Sequence, residues 1–256
     1  MLRLYVQAPF AAFRTFTAGW YRPTAGFLTP SAAYGLALNL AGIETRRDDG
    51  LSPMTVTRFG LPPARIALGA AAGNPSGPHP PVHTIFQQLH NYPVGSSGKE
   101  RMEDAKGNKY NITPVRREFL SDLRAFVLLD FYKQREVEDL IRRALDTSDP
   151  KYPVRYGLPF LGDNAFLIDK IKIHEEPVRA LWYRPIGSED EEGVVPRSTR
   201  LTVWIDRQDM SKTRSALFAP GPEEEDDAAN SQWHAWTDVT PPSEPMPPPK
   251  ASKKKG

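Results

Sequence analysis

The stretch FLTPSAAYGLALNLAG, residues 27–42, decides how the rest of the chain is read. Pro30 and Ser31 stand before a run of small and apolar residues, and a serine hydroxyl can accept a hydrogen bond from an unpaired first-turn N–H, so a helix starts here. Leu36, Leu40 and Ile43 recur at helical spacing with Ala32, Ala33, Ala37 and Ala41 between them, and Gly42 is a suitable stop. Alanines and Gly35 predict a helix that lies tight against a sheet.

Upstream, LRLYVQA (2–8) alternates large apolar with polar residues and predicts an N-terminal strand ended by Pro9. Downstream, Arg65–Ala71 predicts a second strand. Residues 74–114 are rich in proline, glycine, histidine and charge, and VHTIFQQLHNYPV and KYNITPVRREFL read as two arms of an inserted hairpin. RREFLSDLRAFVLLDF (116–131) predicts a long core strand. QREVEDLIRRALDTSDP (134–150) predicts a helix with Val137, Leu140, Ile141, Ala144 and Leu145 on one face. A glycine-bearing loop and strand (156–173) and two further strands, RALWYRPI (179–186) and RLTVWID (200–206), follow. Strand–helix–strand, a hairpin insertion, then strand–helix–strand predicts an α+β, ferredoxin-like domain over residues 1–219.

Residues 220–256 carry seven acidic residues and eight of the 26 prolines and end in KKKG, which predicts a disordered tail. Removing this segment, with its net −3, leaves residues 1–219 with 29 basic and 24 acidic residues, a mildly basic body that suits a polyanion. The absence of cysteine excludes disulfides and Cys-ligated zinc. Neither GxxxxGK[ST] nor GxGxxG is present, so no nucleotide cofactor is expected. The five histidines form no HExxH and no cluster of ligand spacing, and no metal is expected. The N-terminus has no signal-peptide core and no stretch is long enough to span a membrane, so a cytoplasmic protein is expected.

Two groups of residues point to chemistry. Arg14 and Arg22 flank Phe13, Phe16, Trp20 and Tyr21, and Arg116 and Arg117 sit where the hairpin rejoins the core. Guanidinium holds phosphate with two hydrogen bonds and aromatic faces stack unpaired bases, the combination that grips single-stranded RNA. The alternative is that the aromatics are core and strand alternation sends the two adjacent arginines to opposite faces. His83, His90, Tyr92 and Lys109 are the side-chain types of a metal-independent ribonuclease, and they are also ordinary in a polar hairpin.

Pro9–Arg14 (PFAAFR), Thr29–Gly35 (TPSAAYG), PVRREFLSD and the loop Gly157–Gly162 (GLPFLG) together resemble CRISPR-associated Cas family five, of the RAMP superfamily, in its DevS-like branch. The resemblance covers about residues 1–218. It implies a ferredoxin-like, RRM-like domain whose hairpin insertion at about 74–114 is a thumb. It implies a subunit of a type I Cascade surveillance complex that binds the 5′ handle of CRISPR RNA (crRNA) and caps a backbone of Cas family seven subunits. Such a subunit also contacts the Cas family eight large subunit, and through it target DNA. Carried onto this chain, Arg14, Arg22, Arg116 and Arg117 become candidate handle contacts, with Thr29, Ser31 and Tyr34 beside the RNA. One branch, that of subtype I-C, instead cuts precursor RNA with a tyrosine and an adjacent lysine and histidine. No Lys-His dipeptide occurs here, so a non-catalytic role is expected, with a Cas family six nuclease making the guide.

Overall fold

The computed structural model describes residues 1–15, 20–47, 56–72, 77, 79–90, 112–146, 148, 157–187, 197–206 and 209–242. Its centre is four strands in the spatial order β6-β1-β5-β3, each antiparallel to its neighbours: β1 (Leu2–Ala11), β3 (Ala64–Ala71), β5 (Ile112–Asp130) and β6 (Lys170–His174). Helix α1 (Pro30–Leu40) connects β1 to β3, and α2 (Glu136–Leu145) connects β5 to β6. The sheet continues from β3 through β7 (Arg179–Pro185), β9 (Arg214–Glu225) and β8 (Thr199–Trp204). The fold is therefore α+β with a mostly antiparallel sheet.

Alternation along β1 buries Leu2, Leu4, Val6 and Ala8 against the helices, where they meet Leu123, Ala125, Val127 and Leu129 of β5 and Leu38 and Leu40 of α1. Thr29, not Ser31, caps α1: Thr29 Oγ1 accepts from the Ala32 N–H at 3.2 Å, because Thr29 holds the extended backbone that a cap requires. Gly42 (φ 70°) ends the helix in the left-handed region, with the Ile43 N–H reaching back to Leu38 O at 2.9 Å. Gly35 does not mediate close packing: an added Cβ meets no atom within 4 Å. Its face of α1 looks into open space.

The hairpin arms pair as expected. β4 (Val82–His90) runs antiparallel to the first half of β5, from Val82↔Leu120 to His90↔Ile112, and a short β2 (Tyr21–Arg22) adds on the other side of β5. Tyr92 and Lys109, on the expected hairpin tip, lie outside the described residues.

The expectation of disorder from residue 220 fails over 220–242. β9 carries Pro220 and Pro222 because β8 pairs with it only as far as Phe218, leaving the later residues bonded to β7 alone. Its acids meet strand partners, with Arg179 Nε donating to Glu223 at 3.0 Å and Arg184 pairing with Glu224. Beyond it, Ala228, Trp233 and Ala235 pack on Ala67, Leu128, Ala180 and Trp182 in a second core, and β10 (Thr237–Val239) pairs with β3. Asp226, buried, accepts both Arg3 Nη2 (2.8 Å) and the Val178 N–H (2.8 Å), tying this strap to the first strand. Residues 243–256 lie outside the described residues.

Candidate RNA-binding site

A cleft of about 930 Å³ opens between α1 and the glycine-bearing loop. From α1 and its N-cap come Thr29, Ser31, Ala32, Gly35, Leu36 and Asn39, whose three- and four-residue spacings put them on one face. Opposite stand Leu158, Pro159, Phe160 and Gly162, with Arg14 at the rim. Gly162 holds the loop in place. Its φ is +81°, and an added Cβ would sit 1.6 Å from Ala12 O, so only glycine permits this approach. The Ala12 N–H then donates to Leu161 O at 3.1 Å, and Asn39 Nδ2 donates to Gly157 O at 3.2 Å.

The helix end offers little positive charge by itself. Pro30 has no N–H, Ala32 N–H is held by Thr29 Oγ1 and Ala33 N–H by Thr29 O, which leaves Ser31 alone among these donors. The charge comes from arginines instead. Burial first, then the nearby cations of Arg14 and Arg117, hold the Arg22 guanidinium below its ordinary pKa. Neither Arg14 nor Arg22 has an ion-pair partner among the described residues. Arg117 donates to Asp163 at 2.5 Å, and Asp163 is held below the usual carboxylate range by the Ala165 N–H, then by Arg117 and Arg14. Arg117 and Arg14 thus act on one carboxylate, Arg22 lies near both guanidinium groups, and Arg14 reaches the cleft.

Strand alternation separates the two adjacent arginines. Arg117 shares a row with Arg22 and Ile85, whereas Arg116 shares one with Tyr21 and Phe86, its guanidinium 5.2 Å from the Tyr21 ring. Tyr34 is misplaced by the sequence reading: it is 3 % exposed, its hydroxyl donates to Pro62 O at 2.7 Å, and burial raises its pKa. Position 34 falls on the sheet-facing side of α1, one residue from the cleft-facing Gly35. His83 is exposed, bonded to Ser121 Oγ at 2.8 Å and stacked on Phe119. His90 is described through its backbone pairing with Ile112. No group of three or more metal-ligating side chains occurs among the described residues, and no helix there is long and apolar enough to cross a membrane.

Sequence reasoning missed Asn39, Asp163 and Glu118. Asn39 was visible as the third member of a Ser31, Gly35, Asn39 series at four-residue spacing. Glu118, which accepts from Thr24 N–H (3.1 Å) and Tyr21 Oη, and Asp163 owe their roles to partners far along the chain and leave no local signal.

No protein-family model matches the sequence, and no curated protein does. Among solved structures, the chain is similar to one described as "CRISPR RNA-guided surveillance complex", with a TM-score of 0.50 and 14 % identity over 88 % of this chain and 90 % of that one. This chain shares that fold. It also aligns with a structure described as "Crystal structure of Cas protein", with a TM-score of 0.40 and 15 % identity over 88 % and 93 % of the two chains.

Proposed function

We propose that this chain is a non-catalytic crRNA-binding subunit of a type I CRISPR surveillance complex, acting in antiviral defence. In this reading it is a Cas family five protein that holds the 5′ handle and caps a backbone of Cas family seven subunits. The large subunit of Cas family eight and, through the assembly, target DNA are further partners, and a Cas family six nuclease supplies the guide. The observation that carries the reading is the grouping of Arg14, Arg22 and Arg117, of which only Arg117 has a carboxylate partner among the described residues, with Arg14 lining a cleft built by α1 and the Gly157–Gly162 loop. Uncompensated guanidinium beside an open groove attracts a phosphate chain. The order β6-β1-β5-β3, with one helix after β1 and one after β5, supports the ferredoxin-like reading, and the β4–β5 pairing is the hairpin that this reading takes as the thumb.

The test measures binding of the full chain to a repeat-derived 5′ handle RNA as a function of salt. Three phosphate contacts give a slope of log K against log salt of about −2 for a single strand. Arg14→Glu with Arg22→Glu should flatten that slope and weaken binding. Binding indifferent to these charges sinks the proposal. Discrete cleavage of precursor RNA in EDTA, abolished by His90→Ala, would replace it with an endoribonuclease.

A further inference from the structure

The outward row of the hairpin root is unaccounted for by the cleft. The register places Phe86 of β4, Arg116 of β5 and Tyr21 of β2 side by side, and cross-strand partners share a face. Phe86 is 83 % exposed, Tyr21 44 %, and the neighbouring Trp20 71 %. Single exposed apolar side chains are normal on soluble proteins, but two exposed rings flanking a guanidinium on three adjacent strands form a surface. At strand spacing the row spans roughly 10 Å from Phe86 to Tyr21.

Charge decides what covers it. Arg116 has no carboxylate within ion-pair distance among the described residues. The carboxylate on the same face, Glu118, is already occupied by the Tyr21 hydroxyl and the Thr24 N–H. A protein partner that buried this row would desolvate an unpaired cation, which is costly unless the partner brings an anion to each contact. A single-stranded polynucleotide brings a flat base for each ring and a phosphate for the guanidinium together.

We infer that Phe86, Arg116 and Tyr21 form a base-stacking platform for unpaired nucleotides, separate from the phosphate-binding arginines on the opposite face of β5. The inference rests on the RNA-binding reading above. The two faces of β5 thereby divide the work: Arg117 and Arg22 face the phosphate chain on one side, and on the other the rings of Phe86 and Tyr21 take bases while Arg116 holds the phosphate beside them.

The experiment uses the full chain and a repeat-derived single-stranded RNA carrying 2-aminopurine at each position in turn. Binding should quench the probe at one or two neighbouring positions. Phe86→Ala should remove that quench and weaken binding roughly tenfold while leaving the salt slope unchanged, since one stacked base is lost and no charge. Phe86→Tyr should retain both. Arg116→Ala should lower the slope by about 0.7. Because Phe86 is exposed, these variants should melt with the wild type, so lost binding is not lost folding. Unchanged quench and affinity in Phe86→Ala, with binding abolished by Arg14→Glu, overturns the platform and leaves the cleft reading standing. Indifference to both substitutions overturns both. A Phe86→Ala defect in assembly with other subunits, with the quench intact, makes the row a protein-docking site and equally overturns the inference.

Discussion

Gly162→Ala is the sharpest test of how the loop serves the cleft. The methyl group would lie 1.6 Å from Ala12 O, against an ordinary carbon–oxygen contact of about 3.3 Å, so the loop must withdraw by roughly 1.7 Å. Withdrawal breaks the Ala12 N–H to Leu161 O bond, worth about 1 kcal/mol, and draws Leu161, 1 % exposed, out of the core at about 1–2 kcal/mol. The left-handed backbone adds about 1 kcal/mol for any residue with a Cβ. The sum is a destabilisation of about 3–4 kcal/mol, read as a fall in the urea midpoint with unchanged slope. Gly60→Ala is the control: its φ is +71° but its Cβ meets open space, so it should lose only the backbone part, about 1 kcal/mol. The displaced loop also carries Asp163 and Phe160, so handle RNA binding should weaken in Gly162→Ala and not in Gly60→Ala. Equal midpoints for the two variants would refute the reasoning, because they differ in contact with Ala12 and not in backbone conformation.

Gly35→Leu should leave thermal stability within about 1 kcal/mol of the wild type, since leucine is the better helix former and has room, while filling the cleft and weakening RNA binding. A collapse of stability with Gly35→Leu would return Gly35 to the packed side of α1. Asp163 is held below the usual carboxylate range by the Ala165 N–H and by Arg117. Its contribution to stability is therefore present above the ordinary aspartate value, near pH 4, and is lost as pH falls through the lower folded value. Urea midpoints of wild type and Asp163→Asn should differ at pH 7 and converge as the pH falls through that lowered folded value. A gap that persists unchanged across that range contradicts the assignment.

Local patterns carried most of the element order. β1 and α2 were legible because one buried face imposes a period of two or of 3.6, and the long β5 because hairpin arm and core strand are continuous. The segment from Pro220 was not legible, since composition cannot show that Glu223 and Glu224 meet Arg179 and Arg184 some 40 residues earlier. Those acids are cross-strand partners and Trp233 is a core residue, although prolines and charge around them imitate a solvated tail. At the cleft, α1 and the glycine loop each stood out in the sequence as a separate motif, and Arg14 as a candidate RNA contact, but nothing local showed that the three line one groove. Tyr34 and Gly35 exchanged their expected positions because a rotation of one residue on a helix turns a side chain by about 100°. The sequence of α1 is apolar on nearly every side and gives little to fix that rotation.

The strap described above also constrains the order in which the molecule can be made. β1 emerges more than a hundred residues ahead of its partners β5 and β6, and its Arg3 waits for Asp226. β3, in the middle of the sheet, acquires β10 only once residues 237–239 have emerged. Until then the indole of Trp182 faces water where Trp233 will cover it. Pairings this distant in sequence fold slowly and leave apolar surface uncovered in the interim. A chain cut at residue 219, where composition suggests a boundary, would stay in that unfinished state, with an exposed tryptophan and an Arg3 that lacks its buried partner Asp226.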